Sequence, residues 1–147
     1  MEDRIQKAVE LFKSGYNCSQ SVVAAFADMY GFTQEQALRM GASFGGGIGR
    51  MRETCGAACG MFLVAGLETG ATEATDREGK AANYAVVQEL AAEFKKRNGS
   101  LICAELLGLK KKEPVSTIPE ERTAQYYSKR PCAKMVEEAA RIWVEYL

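Results

Sequence analysis

The stretch from Cys55 to Leu67 constrains the fold more than any other part of the chain, because it carries no charged residue. As a helix it would be apolar on every side, and such a helix has to be buried among other elements. Its first half consists of glycine, alanine and cysteine, so neighbouring backbones could pack closely against the sulfur atoms of Cys55 and Cys59. A glycine-rich turn, Phe44 to Arg50, precedes it. The rest of the chain is therefore expected to wrap around this segment.

The spacing of apolar residues predicts helices along most of the chain, and no stretch alternates in the manner of a strand. At 147 residues the chain is long enough for one domain with a substantial core. We predict a single all-α domain spanning residues 1–147, built as a bundle of six to eight helices. Residue types that favour the start of a helix mark five of these helices, at Asn17, Thr33, Thr75, Ser100 and Pro131.

Two further details of the fold prediction depend on periodicity and composition. Tyr84 and Phe94 of the longest helix, and Ile142 and Tyr146 of the last one, are predicted to face the core. Lys110 to Pro119 is predicted to be a loop, because it is charged and contains two prolines.

The counts of charged residues and of histidine exclude several classes of function. The 19 basic residues balance the 19 acidic ones, so bulk charge gives no reason to expect binding to nucleic acid or to a membrane. No segment approaches the roughly 18 apolar residues of a membrane span, and Met1 to Arg4 begins an amphipathic helix rather than a secretory signal. We therefore expect a cytoplasmic protein. The chain contains no histidine, which excludes Ser–His and Cys–His pairs and most mixed zinc sites.

Five cysteines are the best candidates for chemistry, and an odd number in a cytoplasmic chain of ordinary size argues against a static disulfide framework. Cys59 lies one turn beyond Cys55 and is expected to be deeper in the core. The other four fall in predicted first turns of helices, where free N–H groups and the helix dipole should lower the pKa of a thiol: Cys18, Cys55, Cys103 and Cys132. The alternative is that all five pack as small apolar side chains.

These residues, in this order and at this spacing, resemble the family of redox-active proteins named for one cysteine, a CGAxxG motif and two further cysteines. The matching residues are Cys18, the motif from Cys55 to Gly60, Cys103 and Cys132, and the resemblance covers nearly the whole chain. Cys59 occupies a variable position of the motif and is an addition to the pattern. The resemblance implies a redox function. It leaves metal binding open, because a similar region in a cytochrome relative is associated with a non-haem iron–sulfur site.

The first functional hypothesis is thiol–disulfide exchange or electron transfer through Cys55, with Cys18, Cys103 or Cys132 as its partner. Cys55 would be the attacking thiolate. Cys55 and Cys59 make a poor pair, because side chains one turn apart on a helix point in parallel. The sequence does not indicate which redox partner or substrate is used or whether the chain is an enzyme in its own right, and it leaves a homo-oligomer open.

The second hypothesis is a metal-binding or iron–sulfur module. Thiolates from Cys18, Cys55, Cys103 and Cys132 would suit a tetrahedral zinc ion or a cluster. The chain contains no CxxC pair and its spacing resembles no zinc finger or ferredoxin, so these ligands would have to converge from separate helices. The first hypothesis needs no cofactor, and the second needs an iron–sulfur cluster or zinc.

The glycine turn is a third candidate site. Gly45, Gly46, Gly47, Gly49 and Arg50 precede a helix and could hold a phosphate or a carboxylate with amide groups and the arginine charge. No predicted strand precedes the turn and no Gly-Lys-Ser/Thr follows it, so neither the dinucleotide fingerprint nor the P-loop fits. The alternative is a tight connection between packed helices.

Overall fold

The computed structural model describes residues 1–109 and 116–147, and it is an all-α bundle as predicted. Within these residues the chain forms eight α-helices and no strand. Two short 3-10 segments, Ala27–Tyr30 and Ala42–Phe44, follow the second and third helices. In chain order the helices are α1 (Glu2–Lys13), α2 (Cys18–Phe26), α3 (Gln34–Gly41), α4 (Gly56–Thr69), α5 (Arg77–Asn98), α6 (Cys103–Leu106), α7 (Ala124–Lys129) and α8 (Cys132–Tyr146).

The central helix is α4, which packs against α2, α5 and α8. Its N-terminal part, from Gly56 to Met61, is buried. Helix α2 approaches so closely that a Cβ atom on Gly60 would lie 2.9 Å from the carbonyl oxygen of Ser19. Beyond this part, the expectation that the apolar helix is buried on every side is wrong, since Phe62 and Leu63 are only half-buried. In this second half, the helices that pack against α4 leave part of its surface uncovered, and Gly66 and Glu68 are exposed.

Side-chain caps define the starts of α2 and α3 at the predicted positions. The Asn17 side chain accepts a hydrogen bond from the Gln20 amide at 2.8 Å, and Thr33 Oγ1 accepts one from the Gln36 amide at 3.1 Å. Each glutamine side chain in turn accepts a hydrogen bond from the backbone amide of its capping residue, which completes two capping boxes. Pro131 lies directly before α8 rather than inside its first turn.

The predicted starts of α5 and α6 are displaced. Helix α5 begins after Asp76 rather than Thr75, because the Asp76 carboxylate accepts the hydrogen bond from the Gly79 amide. Ser100 does not cap α6. Its hydroxyl accepts a hydrogen bond from the Ile102 amide, which forms a local turn, and the helix begins only after that residue.

The core is formed mainly by apolar side chains of α1, α2, α4, α5 and α8. Phe94 and Ile142 are buried, as predicted. Tyr84 is 62% exposed and Tyr146 is 37% exposed, so their prediction as core residues is wrong. Tyr84 lies in the first half of α5, which contains no fully buried residue, and Tyr146 stacks on buried Trp143 near the end of the chain.

The predicted loop from Lys110 to Pro119 falls partly on residues 110–115, which lie outside the described residues. Residues 116–119 form no helix, in agreement with that part of the prediction, and α7 begins only at Ala124. No helix in the described part of the chain is both long enough and apolar enough to cross a bilayer.

Candidate functional site

The glycine turn is a left-handed backbone segment. The φ angle is 66° at Gly46, 77° at Gly47, 65° at Ile48, 56° at Gly49 and 60° at Arg50. Left-handed backbone costs a non-glycine residue about 1–2 kcal/mol, and a β-branched residue such as Ile48 is rarely found there. The glycines make the turn feasible, while the surrounding structure holds Ile48 and Arg50 in a strained conformation.

Hydrogen bonds inside the turn occupy amide groups that a bound anion would need. The amides of Ile48, Gly49 and Arg50 each donate to a carbonyl oxygen of residues 43–45. This arrangement agrees with the interpretation of the turn as a tight connection between helices. The Arg50 side chain, by contrast, lines a cavity together with Gly45, Gly46 and Gly49.

Two glycines, one in the turn and one at the start of α4, pack directly against cysteines. A Cβ atom on Gly47 would lie 2.6 Å from the Cβ atom of Cys103. A Cβ atom on Gly56 would lie 2.5 Å from Cys18 Sγ and 2.6 Å from the Phe44 carbonyl oxygen. Neither position accepts a side chain unless its neighbours move, so these glycines set how closely the two cysteines approach the backbone.

A short antiparallel contact joins the main-chain segment that ends at Cys55 to the segment that ends at Cys103. The Cys55 amide donates to the Leu101 carbonyl oxygen and the Cys103 amide donates to the Glu53 carbonyl oxygen, both at 2.6 Å. An isolated β-bridge lies between these two bonds. Because the bonds join backbone atoms, the spacing of the two cysteines depends little on the side chains around them.

Four helix starts converge on one cavity of about 320 Å³. Cys18, Cys103 and Cys132 are the first residues of α2, α6 and α8, and Cys55 directly precedes α4. All four line the cavity, and all five cysteines of the chain are free thiols. Cys59 is not among the described residues of the lining. Its thiol instead donates a hydrogen bond to the Thr54 carbonyl oxygen at 3.7 Å.

Burial has the largest effect on the pKa of three of the cavity thiols. It raises the pKa of Cys18, of Cys55 and of Cys132, in the last case to about 11. Nearby backbone amides oppose this increase in the pKa of Cys18 and of Cys55 without cancelling it. The expectation of a lowered pKa is therefore wrong for these three cysteines. At a buried helix start, the loss of hydration destabilises a thiolate more than the free amides and the helix dipole stabilise it.

The thiols are close enough to affect one another electrostatically. After burial, a negative charge on Cys18 is the next largest influence on the pKa of Cys55, Cys59 and Cys132, and it raises all three. A charge on Cys103 raises the same three pKa values to a smaller extent. Cys18 is therefore the thiol most strongly coupled to the others.

Arginine side chains share the cavity with the thiols, and four of them line it: Arg50, Arg52, Arg122 and Arg130. Arg52 Nη1 donates a hydrogen bond to Cys103 Sγ at 3.7 Å. Arg130 forms an ion pair with Glu120, which also lines the cavity. The positive groups therefore lie next to the sulfur atoms.

Arg122 and Arg130 are site residues that the sequence patterns did not predict. For Arg130 a local signal exists, since it lies two residues before Cys132. Arg122 is distant in sequence from every cysteine, and it reaches the cavity through tertiary contacts with Phe12 and Tyr16. No local pattern could have indicated it.

The positions of the candidate metal-binding side chains test the metal hypothesis. Among the described residues, no three cysteine, aspartate or glutamate side chains lie close enough together to hold a single metal ion. The arrangement therefore does not support a zinc ion bound by the four cavity cysteines. Four thiols around one cavity remain a suitable donor set for a larger group such as an iron–sulfur cluster.

We expect the folded state to lose stability as the pH rises from about 9 towards 11. Burial raises the pKa of Cys59 and of Cys132 to about 11, from an ordinary thiol value of 9.0. The folded state keeps these protons longer than the unfolded state, so the stabilisation is complete below pH 9 and is lost as the pH rises through 11. Urea unfolding between pH 8 and pH 11 measures the effect, which Cys59→Ala should reduce. A constant wild-type midpoint would contradict this expectation.

Comparisons with known proteins place the chain in one family. Searches of curated proteins and of solved structures find no match. A scan against protein families matches residues 16–146 to the description "Putative redox-active protein (C_GCAxxG_C_C)". That pattern writes glycine before cysteine, whereas in this chain Cys55 precedes Gly56, and Ala57 and Gly60 fill the next fixed positions. Because the match covers nearly the whole chain, the protein belongs to the C_GCAxxG_C_C family.

Proposed function

We propose that the protein works by thiol–disulfide exchange in the four-cysteine cavity. Membership of a redox-active family supports the general class. The observation that carries the proposal is that four free thiols, from four separate helix starts, line one cavity. A disulfide needs Cα atoms roughly 4.4–6.8 Å apart, a spacing that residues lining one cavity can reach and residues on distant surfaces cannot.

Cys132 is the proposed attacking thiol. It is half-buried, whereas Cys55 and Cys103 are buried. Burial raises the pKa of Cys132, but the Arg130 guanidinium and the Tyr126 hydroxyl both act to lower it. The pKa of Cys55, the attacking thiolate expected from the sequence, is raised further than that of Cys132. Cys132 is therefore better suited than Cys55 to be the attacking thiol.

Cys18 is the proposed resolving thiol. It is half-buried and is the thiol to which Cys132 is most strongly coupled. Burial raises the pKa of Cys18, while a hydrogen bond from the Gly46 amide acts in the opposite direction and stabilises its thiolate. Cys55 and Cys103 are buried thiols that line the same cavity.

The proposed reaction conserves atoms and electrons. The Cys132 thiolate attacks one sulfur of a substrate disulfide, which forms a mixed disulfide and releases the other substrate sulfur as a thiolate that takes up a proton. The Cys18 thiolate then attacks the Cys132 sulfur, which forms the Cys18–Cys132 disulfide and releases the second substrate thiol. The protein thiols lose two electrons and two protons, and the substrate disulfide gains them.

Thiol counting tests the proposal. We expect the reduced protein, equilibrated with an excess of bis(2-hydroxyethyl) disulfide, quenched in acid and alkylated, to lose two free thiols. Mass spectrometry of its peptides should then show a link between Cys18 and Cys132. Cys59→Ala is the matched control and should form the same link, whereas Cys18→Ala and Cys132→Ala should not. Five free thiols in the wild-type protein after this treatment would contradict the proposal.

A second candidate function is electron transfer through an iron–sulfur cluster. The favourable observation is that four cysteines and four arginines surround one cavity, since thiolates bind such clusters and positive groups offset their negative charge. Cys18, Cys55, Cys103 and Cys132 would hold the cluster, which would supply one-electron redox chemistry. Protein purified without oxygen should then be coloured and contain iron and sulfide in equal amounts. Colourless protein without iron would count against the cluster and leave thiol exchange in place.

A further inference from the structure

We infer that the substrate of the cavity is a small disulfide that carries carboxylate groups. This inference rests on the proposed thiol–disulfide exchange and specifies its substrate. Its basis is the charge of the cavity wall, to which Arg50, Arg52, Arg122 and Arg130 contribute, while Glu120 is the one acidic residue in the described lining. With protonated thiols, the described wall has an excess of three positive charges.

The protein itself neutralises little of this charge. In the described part of the chain, only one ion pair involves a cavity arginine, and it joins Arg130 to Glu120. Burial lowers the pKa of Arg50, and the nearby charges of Arg52 and Arg130 lower it further, while Glu120 opposes them. The positive groups therefore repel one another, and a bound anion would relieve this repulsion.

Arg122 is positioned by the protein before any ligand arrives. It donates hydrogen bonds to the carbonyl oxygens of Phe12 at 2.8 Å and Tyr16 at 2.9 Å. Its guanidinium also lies 4.2 Å from the centre of the Phe12 ring. Because these contacts are made with neutral groups, they fix the side chain without cancelling its charge. A fixed charge lowers the entropy that binding an anion would otherwise cost.

The positive groups lie where they would bring a substrate to the thiols. Arg52 donates to Cys103 Sγ, and Arg130 lies beside Cys132, whose pKa it lowers against the larger effect of burial. A carboxylate bound by either arginine would therefore place the rest of the molecule close to a reactive sulfur. The volume of about 320 Å³ is at the lower end of small-molecule pockets, which favours a compact disulfide over a folded protein as the group that enters.

Three compact disulfides of different charge test the inference. The dianion 3,3′-dithiodipropionate, the neutral bis(2-hydroxyethyl) disulfide and the dication cystamine are each reacted with the reduced protein, and the loss of free thiols is followed. Each rate is divided by the rate of the same disulfide with the protein unfolded in urea, which removes differences in intrinsic reactivity. At low ionic strength we expect the normalised rate of the dianion to exceed that of the dication by about tenfold or more, and salt to reduce this preference.

Arginine variants test whether the preference for the dianion arises from the cavity. Arg52→Gln should reduce the preference for the dianion several-fold. Arg39→Gln, which removes the same charge from an exposed position of α3, should leave it unchanged. If Arg52→Gln fails to fold, as judged by circular dichroism, Arg130→Gln replaces it with the same expectation.

The outcomes separate the inference from the proposed function. If none of the three disulfides oxidises the folded protein, thiol exchange itself is contradicted. If all three react at equal normalised rates, thiol exchange stands and the anionic substrate is overturned. A preference for the dianion that persists unchanged in Arg52→Gln and in Arg130→Gln would also overturn the assignment to these arginines.

Discussion

Replacement of Gly56 by alanine is expected to lower the free energy of unfolding by about 3 kcal/mol and to disturb the cavity. The new Cβ atom would lie 2.5 Å from Cys18 Sγ and 2.6 Å from the Phe44 carbonyl oxygen. The sulfur can rotate away, but the carbonyl belongs to the backbone just before the glycine turn, so the chain itself has to move. Urea unfolding measures the loss, and the alkylation rate of Cys18 reports its displacement.

Gly66→Ala is the matched control for this substitution. Gly66 lies in the same helix, α4, and no atom lies within 4 Å of its Cβ position. Replacement of a glycine in a helix interior by alanine stabilises a protein by roughly 0.5–1 kcal/mol. The two variants are therefore expected to change stability in opposite directions. Wild-type stability in Gly56→Ala would contradict the close packing of Cys18 on the start of α4.

Gly47→Ala is expected to have a similarly large effect, of roughly 2–5 kcal/mol, for two reasons that add. The φ angle of 77° is unfavourable for alanine. The new Cβ atom would also lie 2.6 Å from the Cys103 Cβ atom and 2.8 Å from the Cα atom of Arg52. Both neighbours belong to the cavity, so we expect slower oxidation of the thiols as well as a lower urea midpoint.

Gly49→Ala separates the two reasons. Its φ angle of 56° imposes a similar conformational cost, but the nearest atom to its Cβ position lies 4.0 Å away. We therefore expect a loss of about 1 kcal/mol and normal thiol oxidation in this variant. Equal effects in the two variants would show that contact with Cys103 contributes nothing. Unchanged redox and ligand behaviour in Gly47→Ala would remove the glycine turn from the functional site.

The start of a helix could be predicted from the sequence where only one nearby side chain was suited to cap it. Asn17 and Thr33 each precede a glutamine by three residues, and both boxes form. Thr75 has the same kind of signal, but the adjacent Asp76 bonds the amide of Gly79 instead. Two good caps one residue apart cannot be ranked from local sequence, because the path of the preceding loop decides which side chain reaches the free amides.

The placement of the cysteines was more predictable than their chemistry. Their positions at helix starts follow from local sequence, and the structure places Cys18, Cys55, Cys103 and Cys132 there. Their pKa values depend on how much protein covers each helix start, which is set by elements distant in the chain. The same limit applies to Arg122, whose partner Phe12 is 110 residues away.

The main-chain contact between residues 53–55 and residues 101–103 also closes a long excursion of the chain, formed by α4, α5 and the connection at residues 70–76. The excursion begins and ends at this contact, and its far connection is largely exposed. Extra residues introduced there would lengthen the excursion at the end remote from the contact. Residues 70–76 are therefore a permissive site for a peptide tag or a reporter domain, through which the protein can be labelled without altering the distance between its buried sulfur atoms.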